Sequence, residues 1–109
     1  MNGEKNFEVA VLLDFYSELL TEKQRDVIDL YYNEDLSLAE IAEHENITRQ
    51  GVRDSIKRGE QVLFEMEAAL HLAEKSRKLE NIAYRLDANA EAFSPEEIRA
   101  IAAEIRDIL

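Results

Sequence analysis

Residues 37–58 read SLAEIAEHENITRQGVRDSIKR and contain two predicted helices separated by a short break. Ser37 and Thr48 can each cap a helix, because a side-chain oxygen at the N-cap accepts a hydrogen bond from a free backbone N–H of the first turn. Glu40 lies three residues after Ser37 and completes a capping box. The sequence therefore predicts one helix after Ser37, a break at residues 45–47 and a second helix after Thr48.

The apolar residues of this stretch have the spacing of a helix-turn-helix. Ala42 is small, as a close crossing of the second helix requires, and Ile47 can fill the turn. Val52 and Ile56 lie one helical turn apart and should face inward. Asn46 stands where glycine is usual, but asparagine tolerates the left-handed backbone conformation. We expect the four apolar side chains to meet at one buried point, which leaves the other face of the second helix in solvent.

The outward face of the second helix carries side chains that suit nucleic acid. Arginine pairs with guanine edges or phosphate, glutamine with adenine edges and lysine with phosphate, and the N-terminal half of such a helix can enter a major groove. The same side chains could instead only hydrate an exposed helix face. The candidate nucleic-acid-binding residues are Thr48, Arg49, Gln50, Arg53, Lys57 and Arg58, with Asp54 on the same face.

Charge is distributed unevenly along the 109 residues, whose net charge is −11. Residues 1–45 carry 3 basic and 12 acidic side chains, whereas residues 46–60 carry 4 basic and 2 acidic ones. Because an acidic protein repels phosphates, nucleic acid could bind only through the basic segment, weakly and with a steep salt dependence. The acidic remainder suits a basic protein partner, whose approach it would steer.

The rest of the chain is predicted to be nearly all helix. It has only 3 glycines and 1 proline, and no segment alternates with period two. We expect a first helix over residues 7–20, a second after Thr21 with Gln24 as its capping-box partner, and a last helix after Ser94.

Apolar residues from Ile56 to Ala73 recur at alternating spacings of three and four, which is a heptad seam. A second seam in a different phase runs from Leu72 to Phe93. The polar run at residues 74–78 predicts a break between the two seams.

The length of the first seam bears on the assembly state. A continuous helix over residues 49–73 would be about 37 Å long, which is more than a small helical core covers. We therefore expect residues 61–109 to form a helical extension that makes the protein a homodimer. The alternative is a monomer in which residues 79–109 fold back onto the first seam.

The sequence carries no signature of an enzyme, a cofactor site or a membrane segment. Without cysteine the chain has no disulfide, thiolate metal site or cysteine nucleophile, and three glycines make no phosphate-binding loop. His44 and His71 are isolated and do not form a metal pair. No apolar run approaches ~20 residues, and the first eight residues lack a signal core. We expect a cytoplasmic, non-enzymatic protein.

Four segments together resemble region 4 of bacterial sigma factors and, more closely, the YlxM-like family of small helix-turn-helix proteins. The resemblance extends from Leu13 to about Leu70. It implies an all-α fold in which a sigma-region-4-like, winged-helix-like domain over residues 1–60 precedes long helices over residues 61–109. The four segments are Leu20–Arg25, Leu30–Asp35, Ser37–Glu43 and Thr48–Val52.

The resemblance also implies a function. Genes of the YlxM-like family lie beside those for the signal recognition particle GTPase and its receptor, which implies a regulatory or accessory protein that binds the particle's protein or RNA. One alternative is a sequence-specific DNA-binding transcriptional regulator that uses the helix over residues 48–58, and another is a helical scaffold with an unused motif. The sequence departs from the family at Gly51, Arg53, Ser55 and Gly59, where Ala, Tyr, Asn and Thr are usual.

Overall fold

The computed structural model describes residues 6–109, which form six α-helices and no strand. The predicted all-α fold is confirmed, and within this part of the chain the helix-turn-helix has no β-hairpin wing. A short 3-10 turn, Ser17–Leu19, follows the first helix, which is therefore shorter than predicted. The helices are α1 Phe7–Tyr16, α2 Glu22–Tyr32, α3 Leu38–Glu45, α4 Arg49–Leu70, α5 Leu72–Ala88 and α6 Pro95–Ile108.

Side-chain caps set the start of the helices as the sequence predicts. Thr21, Ser37 and Ser94 each begin a capping box, in which the hydroxyl accepts the N3 backbone N–H and the N3 side chain accepts the cap residue's own N–H. Asn6 caps α1, because its Oδ1 accepts the Glu8 N–H at 3.0 Å. These local bonds satisfy backbone donors that the first turn of a helix otherwise leaves free.

The chain divides into two compact units, Met1–Leu70 and His71–Leu109. The expected domain boundary after residue 60 falls inside α4, which continues without interruption to Leu70. Residues 61–70 therefore belong to the first unit.

The first unit is built around α4, against which α1, α2 and α3 all pack. The heptad seam was expected to pack on the terminal helix or on a second copy, and for its first half this was wrong. Ile56, Gly59 and Leu63 are buried within the first unit, because α4 passes through its core. The side chains with less than 2% exposure are Val9, Leu12, Tyr16, Val27, Ile28, Ile41, Val52, Ile56 and Leu63.

Two tyrosine hydroxyls hold α4 along its length. The Tyr16 hydroxyl donates to Glu67 Oε1 at 2.7 Å, and the Tyr32 hydroxyl donates to Glu60 Oε1 at 2.8 Å. Burial, reinforced by the bond to the Glu60 carboxylate, raises the pKa of Tyr32 well above its ordinary value. The phenol thus stays protonated further into the alkaline range than an ordinary tyrosine, and its bond to Glu60 fastens α2 to α4.

The break between α4 and α5 lies at His71, whose backbone is left-handed with φ of 55°. The expectation of a break at residues 74–78 was wrong, since that run lies inside α5. There Glu74 accepts contacts from Lys78 Nζ and His71 Nδ1, each at 3.3 Å. Oppositely charged side chains four residues apart support an exposed helix instead of interrupting it.

The second unit is a pair of helices, α5 and α6, with a thin apolar contact. Ile82 and Ile101 are its buried apolar residues. Arg85 Nη2 and Glu104 Oε2 join the two helices at 2.7 Å. Tyr84 on α5 and Ile98 on α6 remain 73% and 51% exposed, so this unit leaves large apolar side chains uncovered.

Gly59 offers a test of the contact between α2 and α4. A Cβ at Gly59 would lie 2.2 Å from Cδ1 of Ile28, which is itself fully buried. Gly59→Ala should therefore lower the free energy of unfolding by about 1–2 kcal/mol, since overpacking outweighs the gain in helix propensity. Ile28→Val removes the obstructing methyl group. Urea unfolding should show that the double variant loses about 1 kcal/mol less unfolding free energy than the two single variants lose when their losses are added. Simple additivity would contradict this packing.

Candidate nucleic-acid interface

The turn between α3 and α4 is closed by backbone hydrogen bonds. Asn46 adopts the left-handed conformation, with φ of 56° and ψ of 45°, as the sequence predicts. The Ile47 N–H donates to Ala42 O at 3.0 Å, and the Asn46 N–H donates to Ala42 O and Glu43 O. This pattern is that of a Schellman motif, which satisfies the last carbonyls of α3 and redirects the chain into α4.

The apolar anchors of the helix-turn-helix are in place. Val52 and Ile56 are fully buried, Ala42 is buried, and α3 packs against α4. Ile47 is only half-buried, and its Cδ1 lies 3.7 Å from where a Cβ on Gly51 would stand. The buried edge of α4 is thus fixed by its core contacts, which determines the face that it presents to solvent.

Thr48 acts first as a helix cap. Its Oγ1 accepts the Gly51 N–H at 2.9 Å, and its carbonyl accepts the Val52 N–H at 3.0 Å. The hydroxyl hydrogen is still available to a phosphate oxygen. Thr48 therefore both positions the start of α4 and can contribute one donor to a ligand there.

The candidate side chains on α4 are all exposed, but they do not form one cluster. At 3.6 residues per turn, Arg49, Arg53 and Lys57 lie one turn apart in a row along one edge of the helix. Arg58 lies about 180° around the axis from Arg49, on the opposite edge. The helix thus presents a row of three cations on one side and a fourth cation on the other.

Gln50 and Asp54 lie between these two edges. Gln50 Nε2 donates to Asp54 Oδ1 at 3.0 Å, so one amide hydrogen is already engaged. Pairing of Gln50 with an adenine edge would compete with this bond. Asp54 also places a negative charge in the centre of the face, which disfavours phosphate there and directs it towards the cationic edges.

Sequence reasoning did not foresee a cavity of about 570 Å³ in the second unit, because its existence depends on the separation of α5 and α6. Its lining includes Lys78, Arg85 and Glu104, and both cations lie within ion-pair distance of carboxylates.

Over residues 6–109, no group of three or more His, Asp or Glu side chains is arranged to hold a metal ion. Nor is any helix in that range long and apolar enough to cross a membrane.

The capping role of Thr48 can be measured. Thr48→Ala should lower the free energy of unfolding by about 1 kcal/mol, because the Gly51 N–H loses its acceptor. Thr48→Ser keeps the oxygen and should remain within about 0.5 kcal/mol of wild type. Urea unfolding monitored by circular dichroism would show both effects. An alanine variant as stable as the serine variant would exclude a capping role.

Comparison with known proteins gives matches over most of the chain. A family model for YlxM / p13-like helix-turn-helix proteins, UPF0122, matches residues 3–102. A UPF0122 protein of Clostridium kluyveri is 54% identical over 77 residues, which cover 71% of this chain and 69% of that protein. One of Acetivibrio thermocellus is 52% identical over 83 residues, covering 76% and 71%. One of Desulforamulus reducens is 42% identical over 106 residues, covering 94% and 91%. The similarity thus includes the C-terminal helices.

Proposed function

The chain belongs to UPF0122, the family of YlxM / p13-like helix-turn-helix proteins, and on that basis we propose that it is a regulatory protein that binds duplex DNA through the N-terminal half of α4. The observation that supports this proposal is the exposed row of Arg49, Arg53 and Lys57 at the start of a helix whose other edge is buried. A row of cations directly after a helix-turn-helix turn is the arrangement that major-groove binding uses.

The two cationic edges of α4 match the shape of a groove. The major groove is about 12 Å wide and admits one α-helix. With α4 lying in it, Arg49 and Arg53 near the N-terminus would reach base edges, and Lys57 would reach the backbone on the same side. Arg58, on the opposite edge, would meet phosphates of the other strand. Thr48 and the free N–H groups of the first turn add donors at the groove entrance.

The surrounding charge limits the affinity. Residues 6–45 carry 2 basic and 11 acidic side chains, so the part of the first unit that precedes α4 repels DNA. Roughly three phosphate contacts would give a slope of about −3 in log affinity against log salt concentration. A protein of this charge has little nonspecific binding, and base contacts by the two arginines would have to supply most of its selectivity.

Selection from a random duplex library at about 50 mM salt tests the proposal. Wild-type protein should enrich a defined sequence, and Arg49→Ala with Arg53→Ala should bind that duplex at least about tenfold more weakly, because each arginine–base contact contributes about 1–3 kcal/mol. The matched control is Arg77→Ala with Arg99→Ala, which removes the same charge from exposed positions outside the first unit. If the control variant loses binding as well, the loss reflects net charge and not contacts of α4. If wild-type protein enriches no sequence, the DNA function is rejected.

A second candidate is an accessory protein of the signal recognition particle, the role that the family resemblance implies. The acidic surface of the first unit favours it, because such a surface steers a basic protein partner. In this case the chain would co-purify with the particle's protein or RNA from cell extract and change its GTPase rate. It would show no preference among duplexes, so the two candidates give opposite results in the selection experiment.

We also propose that the second unit makes the protein a homodimer. Its two helices bury few apolar side chains between them and leave Tyr84 and Ile98 exposed. Residues 71–109 carry 6 basic and 8 acidic side chains, so two copies can approach without strong repulsion. A dimer would hold two copies of α4 in one particle, as DNA sites with two half-sites require.

Light scattering during size-exclusion chromatography tests the dimer. Wild-type protein should have twice the chain mass, and Tyr84→Glu with Ile98→Glu should have the chain mass, because a buried unpaired carboxylate opposes association. Val11→Glu with Phe15→Glu adds the same charges to the first unit and should leave the dimer intact. A monomeric wild type at micromolar concentration would reject the proposal. A control pair that also dissociates would place the interface elsewhere.

A further inference from the structure

Helix α1 is apolar on both of its faces. Its inner face buries Val9, Leu12, Leu13 and Tyr16 in the core of the first unit. On the opposite face, Phe7, Val11 and Phe15 follow one another at intervals of four residues and remain 74%, 49% and 40% exposed; we call these three residues the α1 stripe. An apolar face in addition to the one that packs on the core is normally covered by another element or by a partner.

The α1 stripe has acidic borders. At 100° per residue, Asp14 lies about 20° beyond Phe7 on one side, and Glu8 lies about 20° beyond Phe15 on the other. Both carboxylates are exposed, as is that of Glu18 in the following turn. Residues 6–19 contain no lysine or arginine. The stripe is therefore an apolar ridge with one carboxylate on each side and no cation beside it.

This charge pattern selects among possible occupants. A second copy would bring two acidic borders together without an intervening cation, which opposes self-association through this face. Phosphate groups of nucleic acids and of anionic lipids would be repelled for the same reason. A helix that carries lysine or arginine beside its own apolar positions could pack on the stripe and also pair with the carboxylates that border it.

We propose that the α1 stripe is a docking surface for a cationic amphipathic helix of a partner protein. The apolar side chains of that helix pack on Phe7, Val11 and Phe15, and its lysines or arginines pair with Glu8 and Asp14. The surface lies on a different helix from the cationic row of α4. Docking at α1 therefore does not depend on the proposed DNA binding.

A model peptide tests this proposal with the full chain. The probe is a fluorescent leucine–lysine peptide of about 18 residues that forms an amphipathic helix, and its control has the same composition with the leucines spread around the helix. Fluorescence anisotropy at about 0.15 M salt should show the amphipathic peptide binding at least about tenfold more tightly than the control peptide. Equal binding of the two peptides would overturn the proposal, because it would reflect net charge alone.

Variants of the chain locate the binding. Val11→Ser with Phe15→Ser should weaken peptide binding at least about tenfold, because two apolar contacts are lost. Glu8→Gln with Asp14→Asn leaves the stripe intact and should weaken peptide binding about threefold to tenfold. Its matched control, Glu34→Gln with Glu43→Gln, removes the same charge at exposed positions on α3 and the turn before it, and should change the dissociation constant less than about twofold.

The remaining outcomes are also decisive. Circular dichroism of each variant establishes that the fold is retained, and the charge variants carry the test if the serine pair unfolds. Equal weakening by both charge pairs would contradict docking at α1. If the serine pair changes the mass of the particle in light scattering but not its affinity for the peptide, a second copy covers the stripe and the proposal is wrong.

Discussion

The structure of the first unit depends on the burial of one edge of α4. Val52, Ile56, Gly59 and Leu63 form this edge, and α1, α2 and α3 pack against the helix that carries it. Since a helix is rigid, fixing this edge also fixes where Arg49 points, two turns before Ile56 along the same element. The core contacts of residues 56–63 and the exposure of the cations near residue 49 are therefore consequences of one packing arrangement, and a change that rotates α4 would alter both.

Charge imposes a second constraint on what the first unit can bind. Four of its basic side chains lie on α4, whereas residues 6–45, which precede α4, carry 2 basic and 11 acidic side chains. A polyanion and a cationic partner would therefore approach different helices of the same small unit. If both proposed ligands bind, they would not compete for the same residues.

Local chemistry explains why much of this fold could be predicted from the sequence. Capping boxes at Thr21, Ser37 and Ser94 involve neighbouring residues only, and the left-handed Asn46 follows from its position in a short turn. The predicted position of the break was wrong because a single histidine does not by itself mark the end of a helix. The charged run at residues 74–78 stabilises a helix once one exists. The elements that pack against the seam from Ile56 could not be predicted either, since heptad spacing identifies an apolar face but not its partner.

The candidate interface shows the same limit at finer scale. Sequence identified every exposed cation of α4 but grouped them as one set, whereas helical geometry separates Arg58 from the row that begins at Arg49. The division matters because a single row can follow only one strand of a duplex, while cations on two edges can contact both walls of a groove. Asp54 between the edges then has a physical role: its carboxylate holds Gln50 and repels phosphate from the centre of the face. A groove floor presents bases there and not phosphates, so an acidic residue at the centre is compatible with base readout and unfavourable for binding that relies on the backbone alone.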